Sequence, residues 1–179
     1  DVERSRGLGD VYKRQLQRLA DGGAAVTLAT AGTQGELGTA SWQVLWPQRG
    51  SEVFPPGNDQ SVVLEVEGGG VPRALFLGDL SAEAQRMLVR TAHLRGSYAV
   101  VKVAHHGSAD QDFALYQDLR PVDALFSAGI DNDYGHPRAE SLASLEAAGA
   151  RVLRTDQEGR LLVGLDGDEL QLWTERQPP

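Results

Sequence analysis

Apolar and polar positions alternate in short runs along most of the chain, and the runs are separated by Gly, Pro and Asn. Ala25–Thr30 is a short β-prone run, and Ser41–Trp46 alternates until Pro47 stops it. Residues 47–60 are rich in Pro, Gly and Asn and predict a loop. Ser61–Glu67 and Ala74–Leu77 predict two strands joined across Gly68–Gly70, a hairpin. The pattern then changes. Ser81 can cap a helix that runs to about Leu94 and is ended by Gly96. Tyr98–Ala104 predicts a strand, Asp112–Leu119 a short helix stopped by Pro121, and Val122–Ser127 another strand. Pro137 and Gly149 bracket a helix, with Pro in its first turn and Gly just past its end. Arg151–Arg154 predicts a strand, Asp156–Gly159 a turn, and Arg160–Leu165 with Glu169–Trp173 a hairpin. The fold class is α/β or α+β with a mixed sheet. Val62, Leu64, Leu75, Leu77, Val101 and Val103 are the expected core positions of its strands.

Residues 1–15 stand apart. They hold four of the 17 Lys and Arg residues without apolar periodicity, and SRGLGDVYKRQ resembles translated adapter sequence. They are set aside as a non-native or disordered segment, the alternative being an amphipathic helix over Asp10–Leu19. Residues 16–179 form the domain.

At 179 residues the chain suits one domain with a core that needs no staples. There is no Cys, so disulfides, thiolate metal sites and a Cys nucleophile are excluded. No apolar run approaches the roughly 20 residues of a membrane-spanning helix. The net charge of −8, with only Lys13 and Lys102 as lysines, argues against sequence-independent DNA binding through a basic face. A nucleic acid held at a metal site stays open, because bound cations reverse the local field.

Three polar clusters fall at strand ends, where open α/β sheets keep their ligand sites. In Leu77-Gly78-Asp79-Leu80 a buried strand runs into a carboxylate that could reach a metal, or that could serve only a turn. In Val103-Ala104-His105-His106-Gly107-Ser108 two of the chain's four histidines are adjacent. On a strand they would point to opposite faces, so at most one shares the direction of Val101 and Val103. With no Cys available, a metal here is of the His/Asp type and suits Zn or Mn. Asn132-Asp133-Tyr134-Gly135-His136-Pro137 follows a strand and leads into a helix, either as an anion-favouring site or as a simple capped turn. His93 falls at an exposed helix end and is expected to be merely solvated.

Taken in order, Asn58-Asp-Gln-Ser-Val-Val-Leu, Leu77-Gly-Asp-Leu, Val101-Lys-Val-Ala-His-His-Gly-Ser, Ser127-Ala-Gly-Ile-Asp-Asn-Asp-Tyr-Gly-His-Pro and Arg154-Thr-Asp-Gln-Glu-Gly closely resemble the C-terminal metallo-β-lactamase-like domain of ComEC-type DNA-uptake (competence) proteins. The resemblance covers roughly residues 40–173. It implies the C-terminal portion of an αββα sandwich and a metal-dependent DNA nuclease or phosphodiesterase, with Zn or Mn as cofactor and two ions in the intact parent. Asp79 would bridge the metals. His105 is the implied later histidine ligand, with His106 as its alternate, so the implied catalytic pair is Asp79 and His105. Asn132 and His136 would serve substrate binding or support the ligands.

The family's HxHxDH cluster is lacking, since no His precedes His93. The expectation is therefore an N-terminally truncated and inactive fragment. Its implied partners are DNA, the missing N-terminal half of the domain and the parent's membrane channel segment. The implied location is the outer face of a bacterial inner or plasma membrane. The alternative is a non-catalytic structural or interaction domain that keeps the fold. In either case the Asp79 carboxylate should lie within about 7 Å of an imidazole of the His pair, the reach of two ~2 Å ligand bonds with slack for an absent ion. If more ligands are needed, Asp59, Asp131 and Asp133 are the reserve, and strand positions facing a missing sheet should be exposed.

Overall fold

Apolar alternation between Ala40 and Leu77 builds an antiparallel meander, and the strand–helix alternation that follows builds a parallel half. The structure, a computed structural model, describes residues 14–177. The expectation for residues 1–15 thus falls mostly outside the described residues. The described part of helix α1 covers residues 14–21.

Strands β1 (Gln34–Leu37), β2 (Ala40–Trp46), β3 (Val63–Gly68) and β4 (Val71–Phe76) pair antiparallel in sequence order. Strands β5 (Val100–Lys102), β6 (Asp123–Phe126) and β7 (Arg151–Arg154) continue the same sheet in parallel to β4, giving seven strands in the order β1-β2-β3-β4-β5-β6-β7. Helices α2 (Ala82–Thr91), α3 (Phe113–Leu119) and α4 (Ala139–Ala147) make the three crossovers. A single turn, α5 (Thr155–Glu158), leads to the separate hairpin β8 (Leu161–Asp166) and β9 (Glu169–Thr174). The expected mixed α/β class is what forms.

One face of the sheet packs on the helices. Leu75, Leu77, Val101, Val103, Ala124 and Phe126 lie buried against Leu80, Ala84 and Leu88 of the α2 region, Leu115, Tyr116 and Leu119 of α3, and Leu145 of α4. Alternation turns the cross-strand pair Leu64 and Phe76 to the other face. There Leu64 is half-buried and Phe76 is 39% exposed. The β8–β9 hairpin touches this side, with the Leu165 N–H donating to Gly70 O at 3.2 Å. Of the six expected core positions Leu75, Leu77, Val101 and Val103 are fully buried, whereas Val62 (42% exposed) and Leu64 (half-buried) are not, because β3 turns Val63 and Glu65 to the helix side instead.

Three local expectations are corrected. The Ala25–Thr30 run forms no strand, and Leu28 is almost wholly exposed. The edge of β2 is taken instead by the polar segment Gln34–Leu37, which a two-residue turn at Gly38-Thr39 sets in register and over which the Trp42 indole lies at Gly35. Hairpin register outweighs β-propensity there, since propensity alone supplies no partner. Pro137 does not open α4. The Arg138 N–H donates to Gly107 O at 2.8 Å, which keeps the backbone extended to Arg138, and the helix begins at Ala139. The expected helix to Leu94 stops at Thr91, while its cap is as expected: Ser81 Oγ accepts the Ala84 N–H.

Candidate functional site

The carboxyl ends of β4, β5 and β6 lie side by side, so the loops that leave them share one edge of the sheet. Those loops carry Asp79, the His105-His106 pair and the Asn132–His136 segment. Two glycines make the close approach possible. Gly78 has φ +59°, and a Cβ there would come within 2.5 Å of Ser61. Gly107 has φ +82°, and a Cβ there would meet the Phe126 ring at 2.5 Å and Pro137 at 2.8 Å. Gly78 O accepts from the His105 N–H at 3.0 Å and from Lys102 Nζ at 3.0 Å, which ties the first loop to the second.

β5 ends at Lys102, and the chain then turns left-handed. His105 has φ 44°, ψ 44° and His106 has φ 54°, ψ 18°. Side chains rarely tolerate this region, and each such residue costs about 1–3 kcal/mol, a strain that collects at functional sites. The surroundings hold it in place. Ala104, which opens the turn, has both backbone groups taken by buried side chains: its N–H donates to Tyr116 Oη at 3.3 Å and its carbonyl accepts from Gln111 Nε2 at 2.8 Å. Ser108 O accepts from Ser141 Oγ at 2.6 Å.

The left-handed turn decides which imidazole meets Asp79. His106 Nε2 lies 3.5 Å from Asp79 Oδ1. His106 Nδ1 lies 2.7 Å from Ser127 O, a carbonyl that can only accept, so Nδ1 carries the hydrogen. Nε2 then faces the carboxylate oxygen, with a lone pair when the ring is neutral and with an N–H when it is protonated. Two acceptors facing each other call for a cation between them, either a proton or a metal ion. His105 is elsewhere. Its Nε2 lies 3.4 Å from Asn58 Nδ2, and its ring is 5.8 Å from that of His136. In the expected pair of Asp79 and His105, the geometry therefore puts His106 in the place of His105. The reason is that both histidines leave strand geometry, so alternation no longer orients them.

Lys102 also reaches the carboxylate, with Nζ 3.6 Å from Asp79 Oδ1. Burial lowers its pKa, and the charge of Asp79 opposes that. Burial first, then the neighbouring His105 and Arg138, lower the His136 pKa and favour a neutral ring. His136 Nδ1 is buried without a hydrogen-bond partner. Asn132 spends its amide on the loop itself: Nδ2 donates to His136 O at 2.8 Å and Oδ1 accepts the His136 N–H at 2.9 Å. It therefore shapes the loop. His93 is exposed, as expected.

The fit to a metal can be judged from these donors. Two ligands of one tetrahedral ion at ~2.0–2.2 Å bonds stand roughly 3.3–3.6 Å apart, and Asp79 and His106 meet that spacing at 3.5 Å. A catalytic ion takes three protein ligands, and among the described residues no three His, Asp or Glu side chains converge to hold one. The reserve carboxylates do not add a ligand. Asp59 Oδ1 accepts the Ser81 N–H at 2.8 Å, and Asp131 and Asp133 are exposed on their loop. The residues present fit two positions of an ion's shell and do not complete it.

Lys102 and Ser127, which touch Asp79 and His106, were not singled out by the sequence as site residues. A lone Lys inside an apolar strand was the available signal for the first. Ser127 acts mainly through its backbone carbonyl, for which no sequence signal exists.

The strained turn gives a direct test. His105→Gly should relieve about 1–2 kcal/mol of left-handed strain while adding about 0.5–1 kcal/mol of unfolded-state entropy cost. The expected result is a melting temperature about 1–4 °C higher, and no such gain for His105→Ala. A melting temperature lowered by His105→Gly would show that the imidazole's contacts outweigh the strain.

No family model matches the chain, and no solved structure matches it. Among curated proteins it is 32% identical over 151 residues to ComE operon protein 3 of Bacillus subtilis (strain 168), covering 83% of this chain and 19% of that protein. It is 33% identical over 109 residues to Competence protein ComA of Neisseria gonorrhoeae, covering 60% of this chain and 16% of that protein. The chain thus spans about a fifth or less of the length of the curated relatives it matches. By sequence, this chain is similar to a part of the ComEC-type competence proteins.

Proposed function

We propose that this chain is part of a competence protein acting in DNA uptake, and that its strand-end site is one portion of a metal-dependent phosphodiesterase centre acting on DNA. The observation that carries the reading is the Asp79–His106 pair, a carboxylate oxygen and an imidazole nitrogen 3.5 Å apart, with the other imidazole nitrogen engaged on Ser127 O. A Zn or Mn ion bound there would supply a polarised water near neutral pH. The protein's own part is to hold Asp79 and His106 at ligand spacing, to keep Nδ1 of His106 engaged on Ser127, and to balance the carboxylate with Lys102. The remaining ligands would have to come from groups other than the described residues, as they would in a metallo-β-lactamase-like sandwich with a second half. In the parent the domain would sit on the outer face of the membrane beside the channel segment. Among the described residues no helix is long and apolar enough to cross a membrane.

Calorimetric titration with Mn²⁺ and Zn²⁺ tests the reading. Complete zinc sites reach about 10–16 kcal/mol, so a two-donor site should bind more weakly than about 1 μM. Binding should vanish in Asp79→Ala, and this chain alone should not cleave DNA. Absence of binding up to ~1 mM, or binding unchanged in Asp79→Ala, would overturn the metal reading. Sub-micromolar affinity with Asp79-dependent turnover would show a complete site and overturn the expectation of an inactive chain.

A second reading, a non-catalytic interaction domain, is favoured by the absence of a third donor among the described residues and by Lys102, which already supplies a cation to Asp79. The same titration separates the two, since this second reading requires no metal binding.

A further inference from the structure

The loop between β6 and α4 presents the Tyr134 ring at 69% exposure. The loop is held in shape, because the Asn132 side chain bonds both backbone groups of His136 and closes residues 132–136 into a fixed turn. The inner face of Tyr134 stacks on His136, with centroids 6.0 Å apart and planes 14° apart. From there a row of rings leads inward. His136 is 5.8 Å from His105, and His105 is 6.5 Å from His106, whose Nε2 faces Asp79. A largely exposed aromatic ring on a preorganised loop, stacked on His136 and linked through the row of imidazoles to the polar pair, can receive a second flat ring.

We propose that Tyr134 is a stacking platform for a nucleobase of single-stranded nucleic acid, which sets the neighbouring phosphodiester toward Asp79 and His106. The choice of a nucleobase rests on the DNA-uptake reading above, and the direction of delivery on the hydrolytic one. A single strand is required because a duplex keeps its base faces covered by their neighbours. The chain's net charge of −8 leaves few phosphate-neutralising contacts. Arg138, beside Gly135, is the cation at hand, since Lys102 is engaged by Asp79, and the exposed Asp131 and Asp133 of the same loop add no attraction. Affinity therefore comes mainly from stacking, and the slope of log K against log salt should be shallow, about −1 for one or two neutralised phosphates on a single strand.

The test is fluorescence anisotropy with a fluorescein-labelled oligothymidylate in buffer containing EDTA, titrated with the full chain. Wild type should bind, Tyr134→Ala should bind about tenfold or more weakly, and Tyr134→Trp should restore binding. An abasic oligomer of equal phosphate count should bind wild type as weakly as the base-bearing one binds Tyr134→Ala. Mn²⁺ affinity should be the same in Tyr134→Ala as in wild type, which reports an intact fold. Equal binding by wild type and Tyr134→Ala would overturn the platform. So would equal binding of abasic and base-bearing strands, preference for duplex, or no binding by wild type. If wild type fails to bind Mn²⁺ yet shows Tyr134-dependent binding of the oligomer, the hydrolytic reading falls and the platform stands.

Discussion

Glu65→Ala should cost about 3–5 kcal/mol of stability, the loss expected when one partner of a buried charged network is removed. Glu65 is 2% exposed in β3 and lies on the helix-side face of the sheet. It accepts from Tyr98 Oη, from Arg73 Nη2 at 3.2 Å and from Gln43 Nε2 at 3.0 Å. The Arg73 guanidinium also lies 4.5 Å over the Tyr98 ring. Burial, and then the adjoining carboxylate, push the Tyr98 phenol above its ordinary pKa, so it stays a donor. One carboxylate thus ties β2, β3, β4 and the entry to β5 at the end of the sheet opposite the candidate site. Alanine would leave a buried phenol without an acceptor and Arg73 without its buried counter-charge. Urea denaturation should show a lower midpoint at unchanged slope, and the melting temperature should fall by about 10 °C. Glu65→Gln should lose less, because it still accepts hydrogen bonds. A loss below about 1 kcal/mol in Glu65→Ala would mean that water reaches and solvates the cluster.

Gln111→Leu should cost about 2–4 kcal/mol and should also weaken metal binding at Asp79. Each buried polar group left unsatisfied costs about 1–3 kcal/mol, and Gln111 serves several. Its Nε2 donates to Ala104 O, and its Oε1 accepts from Tyr116 Oη at 2.6 Å and from Gln85 Nε2 at 3.1 Å. Tyr116 in turn accepts the Ala104 N–H. This network is the anchor from which the left-handed turn at His105 and His106 starts, so its loss should let the turn relax and move His106 away from Asp79. Denaturant unfolding gives the stability, and Mn²⁺ titration at a temperature where the variant is folded gives the functional effect. Tyr116→Phe keeps the packing and should show a smaller loss of the same kind. If folded Gln111→Leu binds Mn²⁺ as wild type does, the turn holds itself and the network serves stability alone.

Much of the fold was legible because its signals are local. The Ser81 cap, the alternation of Ser41–Trp46, the hairpin across Gly68–Gly70 and the apolar strands ending at Asp79 and before the His pair all appear at or near their expected positions. The clustering of three polar motifs at one sheet edge follows from parallel strands whose carboxyl ends must align, as soon as the helices between them are recognised as crossovers. The Ala25–Thr30 run shows the limit. A β-prone segment becomes a strand only where a free ladder edge accepts it, and at β2 the adjacent hairpin segment Gln34–Leu37 takes that edge.

What the sequence by itself determined is therefore most of the elements, the buried side of β4 and β5, and the three polar loops at the strand ends. These depend on periodicity, caps and turn residues a few positions apart. The tertiary structure alone decided the pairing within the site. Alternation orients a histidine only while the chain remains a strand, and β5 ends at Lys102. Beyond it, bonds from distant elements set the backbone: Tyr116 and Gln111 on Ala104, Gly78 on the His105 N–H, Arg138 on Gly107 O. Those contacts put two consecutive non-glycine residues into the left-handed region, a conformation that local preference disfavours, and so turn His106 toward Asp79 and His105 toward Asn58.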